Sequence, residues 1–188
     1  MSDRNGPHDD DYNAVGPPGG LIPHVLHRDI TVIGASAGAI GPLRELFAAL
    51  PADYPAAVFV VLHLAPDSPS ILPEILNRDS PMPVTVARTG ARIRPGTAMI
   101  APPDLHLVLE PERVVLLRGP RENRHRPSVD VLFRSAAVTF GRRVTGVILS
   151  GMQDDGAAGL WAIKRRGGAA VVQDPAEAEY PDMPRNAL

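Results

Sequence analysis

Three short segments of the chain hold residue types that could work together as a nucleophile, a base and an orienting carboxylate. The first is Gly34-Ala35-Ser36-Ala37-Gly38, which directly follows the β-branched run Asp29–Ile33. Glycines on both sides let a strand turn sharply into a helix and leave the Ser36 hydroxyl exposed. The spacing also satisfies G-x-S-x-G, although a hydrolase elbow usually follows a mid-sheet strand rather than the first one. Gly34, Gly38 and Gly41 also lie near the spacing of a dinucleotide-binding turn, so a nucleophile and a nucleotide loop both fit this segment. The second segment is His63, just past the apolar run Ala56–Leu62. Alone it reads as a structural histidine. Strands joined by one βαβ crossover are commonly neighbours, however, and neighbours lie about 4.8 Å apart. A base past the second strand would then reach a serine past the first. The third segment follows Val144–Leu149 and contains Gly151, Met152, Asp154 and Asp155. Either aspartate could cap the next helix or hold an imidazole in one tautomer. The Gly151-Met152 turn offers backbone N–H groups to an oxyanion.

These segments need a scaffold that brings strand ends together. Pro42–Leu50, with Leu43, Leu46, Phe47 and Leu50 on one face, predicts a helix, and Ser70–Asn77 predicts a second, weaker one. Pro83–Val86, Thr97–Ile100, Leu105–Glu110 and Arg113–Arg118 are short strand candidates, the last two forming a hairpin about Pro111-Glu112. Ser128 is placed to cap a helix over Val129–Thr139, with Asp130 in its first turn. A helix ending near Arg166 and a strand over Ala169–Gln173 follow. Uninterrupted apolar strands alternating with helices predict an α/β fold, a three-layer doubly wound mostly parallel sheet with a small β-hairpin insertion. Sites in such sheets form beyond the carboxyl ends of the strands, where the strand order reverses. Residues 1–28, with Asp9, Asp10, Asp11 and a Pro-Gly run, are expected to be a disordered tail. Residues 29–188 are expected to form one domain.

Composition removes several alternatives. The chain has 188 residues and no cysteine, which excludes disulfides, thiolate catalysis and Cys-ligated metal. Its net charge of −2 and 4% aromatic content give no footprint for nucleic acid. Lys164 is the only lysine and follows no glycine-rich loop, so there is no P-loop. His106, His125 and Arg126 form no recognised metal set, and neither a metal nor a cofactor is expected. No apolar run approaches the roughly 20 residues of a membrane span, and no export signal is visible, so a cytoplasmic location is expected.

The segments Val32–Gly38, Val61–Leu64, Arg94–Pro102, Asn123–Phe133, Gly146–Ala158 and Met183-Pro184-Arg185 occur in the order of one known family. On them the chain resembles the catalytic domain of the chemotaxis protein-glutamate methylesterases. The resemblance implies a triad of Ser36, His63 and Asp155, with Asp155 rather than Asp154 as the orienting carboxylate. It implies an oxyanion hole from the backbone N–H groups of Ala37 and Met152. The implied reaction is hydrolysis of glutamate γ-methyl esters on the cytoplasmic helices of methyl-accepting chemoreceptors, and many members also deamidate glutamine. A separate receiver or methyltransferase protein is a candidate partner, because the chain resembles the members without a receiver domain. Arg124 and Arg126 are candidates for meeting an acidic substrate. Ala37 replaces the family's usual threonine, and Ala39 stands where a second glycine is common. The family usually continues through a further helix beyond the position of Leu188. Two other functions compete with this one: a nicotinamide-dinucleotide enzyme built on Gly34, Gly38 and Gly41, and an inactive receptor-docking module.

Overall fold

A computed structural model describes residues 27–188 apart from 66, 68 and 70. The expected tail at 1–28 therefore lies outside the described residues except for its last two positions. Ser70, the expected start of the second helix, also lies outside them.

The chain begins with β1 (Ile30–Ala35), α1 (Ile40–Ala49), β2 (Ala57–Leu62), α2 (Leu72–Asn77), β3 (Val84–Val86) and β4 (Ala98–Ile100). A hairpin of β5 (His106–Leu109) and β6 (Val114–Leu117) follows, then α3 (Val129–Phe140), a 3-10 turn, β7 (Val144–Ile148), α4 (Ala157–Arg165), β8 (Ala169–Val172) and α5 (Asp182–Ala187). Helix α1 starts earlier than expected, and Pro42 sits in its first turn, where a missing N–H is harmless. Strand β8 ends before Gln173.

Six strands form one sheet in the order β3-β4-β2-β1-β7-β8, and every pairing is parallel. Strands β1 and β2 are fully buried and read as continuous apolar runs, as a sheet covered on both faces requires. Alternation along β1 divides the core. Ile30 and Val32 face Leu132, Phe133, Leu160 and Ile163 of α3 and α4. Ile33 and Ala35 face Leu43 and Phe47 of α1 and Leu72 and Leu76 of α2. The architecture is thus the expected three layers. The β5–β6 hairpin joins the α3 side, where Leu109 N–H donates to Ser135 Oγ at 3.1 Å and Thr139 Oγ1 donates to Leu109 O at 3.0 Å.

From β1 the chain passes to β2, on to the edge strand β3 and back to β4 between them, then crosses to the other side of β1 with β7. The strand order therefore reverses between β1 and β7, and the crevice beyond their carboxyl ends is where such sheets bind ligands. No helix of the described residues is long and apolar enough to cross a membrane.

Candidate active site

Ser36 is the first residue past β1. Its N–H donates to Ser150 O at 3.0 Å, and its own carbonyl accepts from Ala39 N–H at 3.2 Å, so backbone bonds fix Ser36 in the turn. Two glycines make the turn possible. Gly38 has φ +73, and a Cβ there would lie 2.8 Å from Glu179 Cβ and from Ser150 Oγ. A Cβ on Gly151 would lie 2.8 Å from Ser36 Cβ and 2.1 Å from Met183 Sδ. Only bare backbone lets the loop after β7 pass against Ser36. Gly151→Ala should therefore lower thermal stability by about 1–3 kcal/mol. Calorimetry on the purified variant checks this.

His63 follows β2, and its N–H donates to Ala35 O at 3.1 Å. Ala35 and Leu62 are register partners, so Ser36 and His63 emerge side by side. The His63 side chain is 7% exposed, and its Nε2 lies 2.8 Å from Asp155 Oδ2. With a carboxylate as acceptor, Nε2 carries the proton and Nδ1 keeps its lone pair. Nδ1 is buried with no hydrogen-bond partner among the described residues.

Asp155 is 1% exposed, whereas Asp154 is exposed. The Asp155 carboxylate accepts five hydrogen bonds: from His63 Nε2, Asn123 Nδ2, Ser128 Oγ, and the N–H groups of Val129 and Asp130. The last two belong to the first turn of α3, whose positive dipole end favours an anion. Burial alone would raise this carboxyl. The bonds from His63, Asn123, Val129 and Asp130 outweigh burial and hold it at about 2. Ser128, expected as the α3 cap, stands at the cap position but makes no side-chain cap bond. Its hydroxyl goes to Asp155 at 2.8 Å, and Asp155 supplies the cap from outside the helix.

Asp130 returns the arrangement to α4. Its Oδ1 accepts from Gly156 N–H at 3.1 Å and Gly159 N–H at 2.6 Å, and its Oδ2 accepts from Asn123 Nδ2 at 2.7 Å. Each helix start is thus closed by an aspartate from the other helix's start, and the Asn123 amide bridges the two. Burial, with the Asp155 charge adding to it, raises the Asp130 carboxyl against the pull of the Gly159 N–H. The two groups act oppositely on stability. The lowered Asp155 stabilises the fold above the ordinary carboxyl value of 3.8, and this is lost as pH falls toward about 2. The raised Asp130 acts at higher pH: its protonation relieves a destabilisation as pH falls toward 3.8, and it contributes nothing further below that. Midpoints of thermal unfolding should fall between about pH 4 and pH 2, and Asp155→Asn should flatten this fall. An unchanged slope in the variant would contradict the assignment.

Asn123, Ser128, Asp130 and His125 are the site residues that the sequence reading did not single out as such. They are delivered by a tight turn and the start of α3. Glu122 and His125 pair as an antiparallel bridge around Asn123 (φ 49) and Arg124 (φ 69). Both central residues have the left-handed backbone that a two-residue hairpin turn demands.

The remaining expected site residues are distributed as follows. The N–H groups of Ala37 and Met152 have no hydrogen-bond partner among the described residues, while Ala37 O accepts from Ser150 Oγ at 2.8 Å. Arg124 is exposed and has no ion-pair partner among the described residues. Arg126, expected to meet substrate, instead braces its own loop. Its guanidinium donates to Asp104 Oδ1 at 2.9 and 2.6 Å and to Gly119 O at 2.6 Å, and its side chain is 16% exposed. Arg118 joins it on Asp104 at 2.9 Å. Among the described residues no cluster of His, Asp and Glu is arranged to hold a metal ion.

The comparisons with known proteins point the same way as the residues. The family model of CheB methylesterase matches residues 31–188. A protein-glutamate methylesterase/protein-glutamine glutaminase of Burkholderia lata is 42% identical over 170 residues, covering 88% of this chain and 47% of that protein. One from Photorhabdus laumondii is 39% identical over 170 residues, covering 88% of this chain and 48% of that protein. This chain therefore spans about half the length of these curated relatives. A putative enzyme of the same name from Leptospira interrogans is 37% identical over 164 residues, covering 87% of this chain and 85% of that protein. The crystal structure of the Thermotoga maritima CheB methylesterase catalytic domain superposes with a TM-score of 0.82 at 32% identity, covering 85% of this chain and 86% of that one. The chain belongs to the CheB methylesterase family.

Proposed function

We propose that this chain is a serine esterase that hydrolyses glutamate γ-methyl esters on the cytoplasmic helices of a methyl-accepting chemoreceptor. The observation that carries this reading is the His63–Asp155 pair at the β1/β7 crevice, with Ser36 and His63 leaving adjacent strands and His63 Nδ1 without a partner among the described residues. Ser36 Oγ attacks the ester carbonyl while His63 Nδ1 takes its proton. Asp155 holds the Nε2–H tautomer and stabilises the imidazolium that forms. The N–H groups of Ala37 and Met152 meet the tetrahedral oxyanion. His63 then returns the proton to the leaving methanol. A water molecule, deprotonated by the same nitrogen, releases the glutamate carboxylate and regenerates the serine. Ammonia is the leaving group if glutamine is the substrate, as the relatives' names indicate for those proteins. Arg124, exposed on the tight turn, is placed to attract an acidic receptor segment.

A dinucleotide site is disfavoured at the same turn. The space a pyrophosphate would need beside Gly38 is occupied by Ser150 and by the Glu179 side chain, whose carboxylate would repel it. Gly41 lies in open space and has no close approach to make. Labelling with a serine-directed fluorophosphonate, followed by peptide mass spectrometry, tests the reading. The adduct is expected on Ser36, and an unlabelled Ser36 in the folded protein would overturn it. Methanol release from a methylated receptor tests the substrate class.

A further inference from the structure

The proposed chemistry gives His125 no role, yet it lies against the base. Its ring is face to face with that of His63, with centroids 3.6 Å apart and planes 3° from parallel. The His63 ring is otherwise fixed at one point, the Nε2 bond to Asp155. One hydrogen bond holds an atom but leaves the ring free to swing about it, whereas a flat neighbour at contact distance fixes the plane. His125 itself is rigidly delivered. The Glu122–His125 bridge closes its turn with backbone bonds of 3.1 and 2.8 Å, and the intervening Asn123 is tied to both Asp130 and Asp155.

The second property of His125 is its charge. Its Nε2 is buried with no hydrogen-bond partner among the described residues, so nothing there rewards a second ring proton. Burial, then the neighbouring His63, and then Arg121 and Arg124 hold the imidazole below its ordinary range, against the pull of Asp155. The ring on the face of His63 is therefore neutral. A neutral π-face attracts an adjacent cation, and His63 becomes one when it takes the serine proton.

We propose that His125 is a positioning residue, whose stacked neutral ring sets the plane of His63 and supports its protonated form. The proposal rests on the esterase reading for its kinetic consequence, and on the ring geometry alone for its spectroscopic one.

Two substitutions separate the ring from its nitrogens. His125→Phe keeps a flat apolar ring and loses the nitrogens. His125→Asn keeps hydrogen-bonding atoms and loses the ring. His125→Phe is expected to retain kcat within about fivefold of the unsubstituted protein. His125→Asn should lose about 10–100-fold in kcat with KM within about twofold, the loss expected when a reacting group is slightly misplaced. The downfield proton resonance of the His63–Asp155 hydrogen bond should persist in His125→Phe and broaden in His125→Asn. That readout needs no turnover, so it judges the proposal even if Ser36 proves not to be a nucleophile. A kcat for His125→Asn equal to or above that of His125→Phe would overturn the proposal, because the nitrogens would then be what matters. Two variants indistinguishable from the unsubstituted protein would overturn it as well. If neither variant folds, His125 is a core residue, and the positioning role is again overturned.

Discussion

Ser36→Ala is expected to lower esterase turnover by about five to six orders of magnitude, the usual consequence of removing a triad nucleophile. The fold should be indifferent to the change. Ser36 is held by its backbone, through Ser150 O and Ala39 N–H, and its hydroxyl has no hydrogen-bond partner among the described residues. The thermal midpoint should therefore stay within about 2 °C, because a substitution away from any buried network typically moves stability by less than about 0.5 kcal/mol. Methanol release and a melting curve on one preparation settle both halves. More than a few per cent of residual activity in a folded variant would sink the nucleophile assignment.

The second large effect is at Asp155. Asp155→Asn replaces an acceptor by an NH2 group where five donors converge. At least one buried donor must then face another donor, at a cost of about 1–3 kcal/mol in stability. The imidazole loses the partner that keeps its proton on Nε2, so Nδ1 is no longer reliably unprotonated. A change of this kind in a serine triad lowers kcat by about 10^4-fold. Asp154→Asn is the internal control. Asp154 is exposed, and its carbonyl rather than its carboxylate accepts Ala157 N–H, so turnover should change less than about threefold. If Asp154→Asn is the more damaging of the two, the carboxylate has been misassigned.

The parts of this site that could be read from sequence are those that depend on local pattern. Ser36 and His63 each follow an apolar strand, and a βαβ unit makes those strands neighbours, so their approach needed no distant information. The hairpin and the three layers follow from alternation and run length. Asp155 could not be separated from Asp154 by spacing, because both precede the same helix, and the family resemblance made that choice. Asn123, Ser128 and Asp130 were legible only as a polar residue before a helix, a cap and a first-turn charge. Their partners lie 25–32 residues away, across α3 and β7. Local rules assign such side chains to their own helix, whereas packing of α3 against α4 assigns them to each other. The dense polar run from Asn123 to Asp130, set directly before an apolar helix, was the available signal. Arg126 shows a different limit of local reading. An arginine-rich loop suggests an outward basic surface, but Asp104 draws Arg126 inward while pairing with an Arg118 that stays exposed.

The exchange of aspartates between the starts of α3 and α4 has a consequence for partly built chains. Asp155 reaches its donors only after α3 has formed and docked, and Asp130 reaches its donors only after α4 has done so. A nascent or proteolysed chain lacking residues beyond β7 would contain Ser36 and His63 already paired by the sheet, but no anion to set the imidazole. On the esterase reading proposed above, hydrolytic competence would arrive only once the segment beyond β7 is in place. Molecules cut short of Asp155 would then be expected to stay silent, so that turnover would report that Asp155 is present and docked.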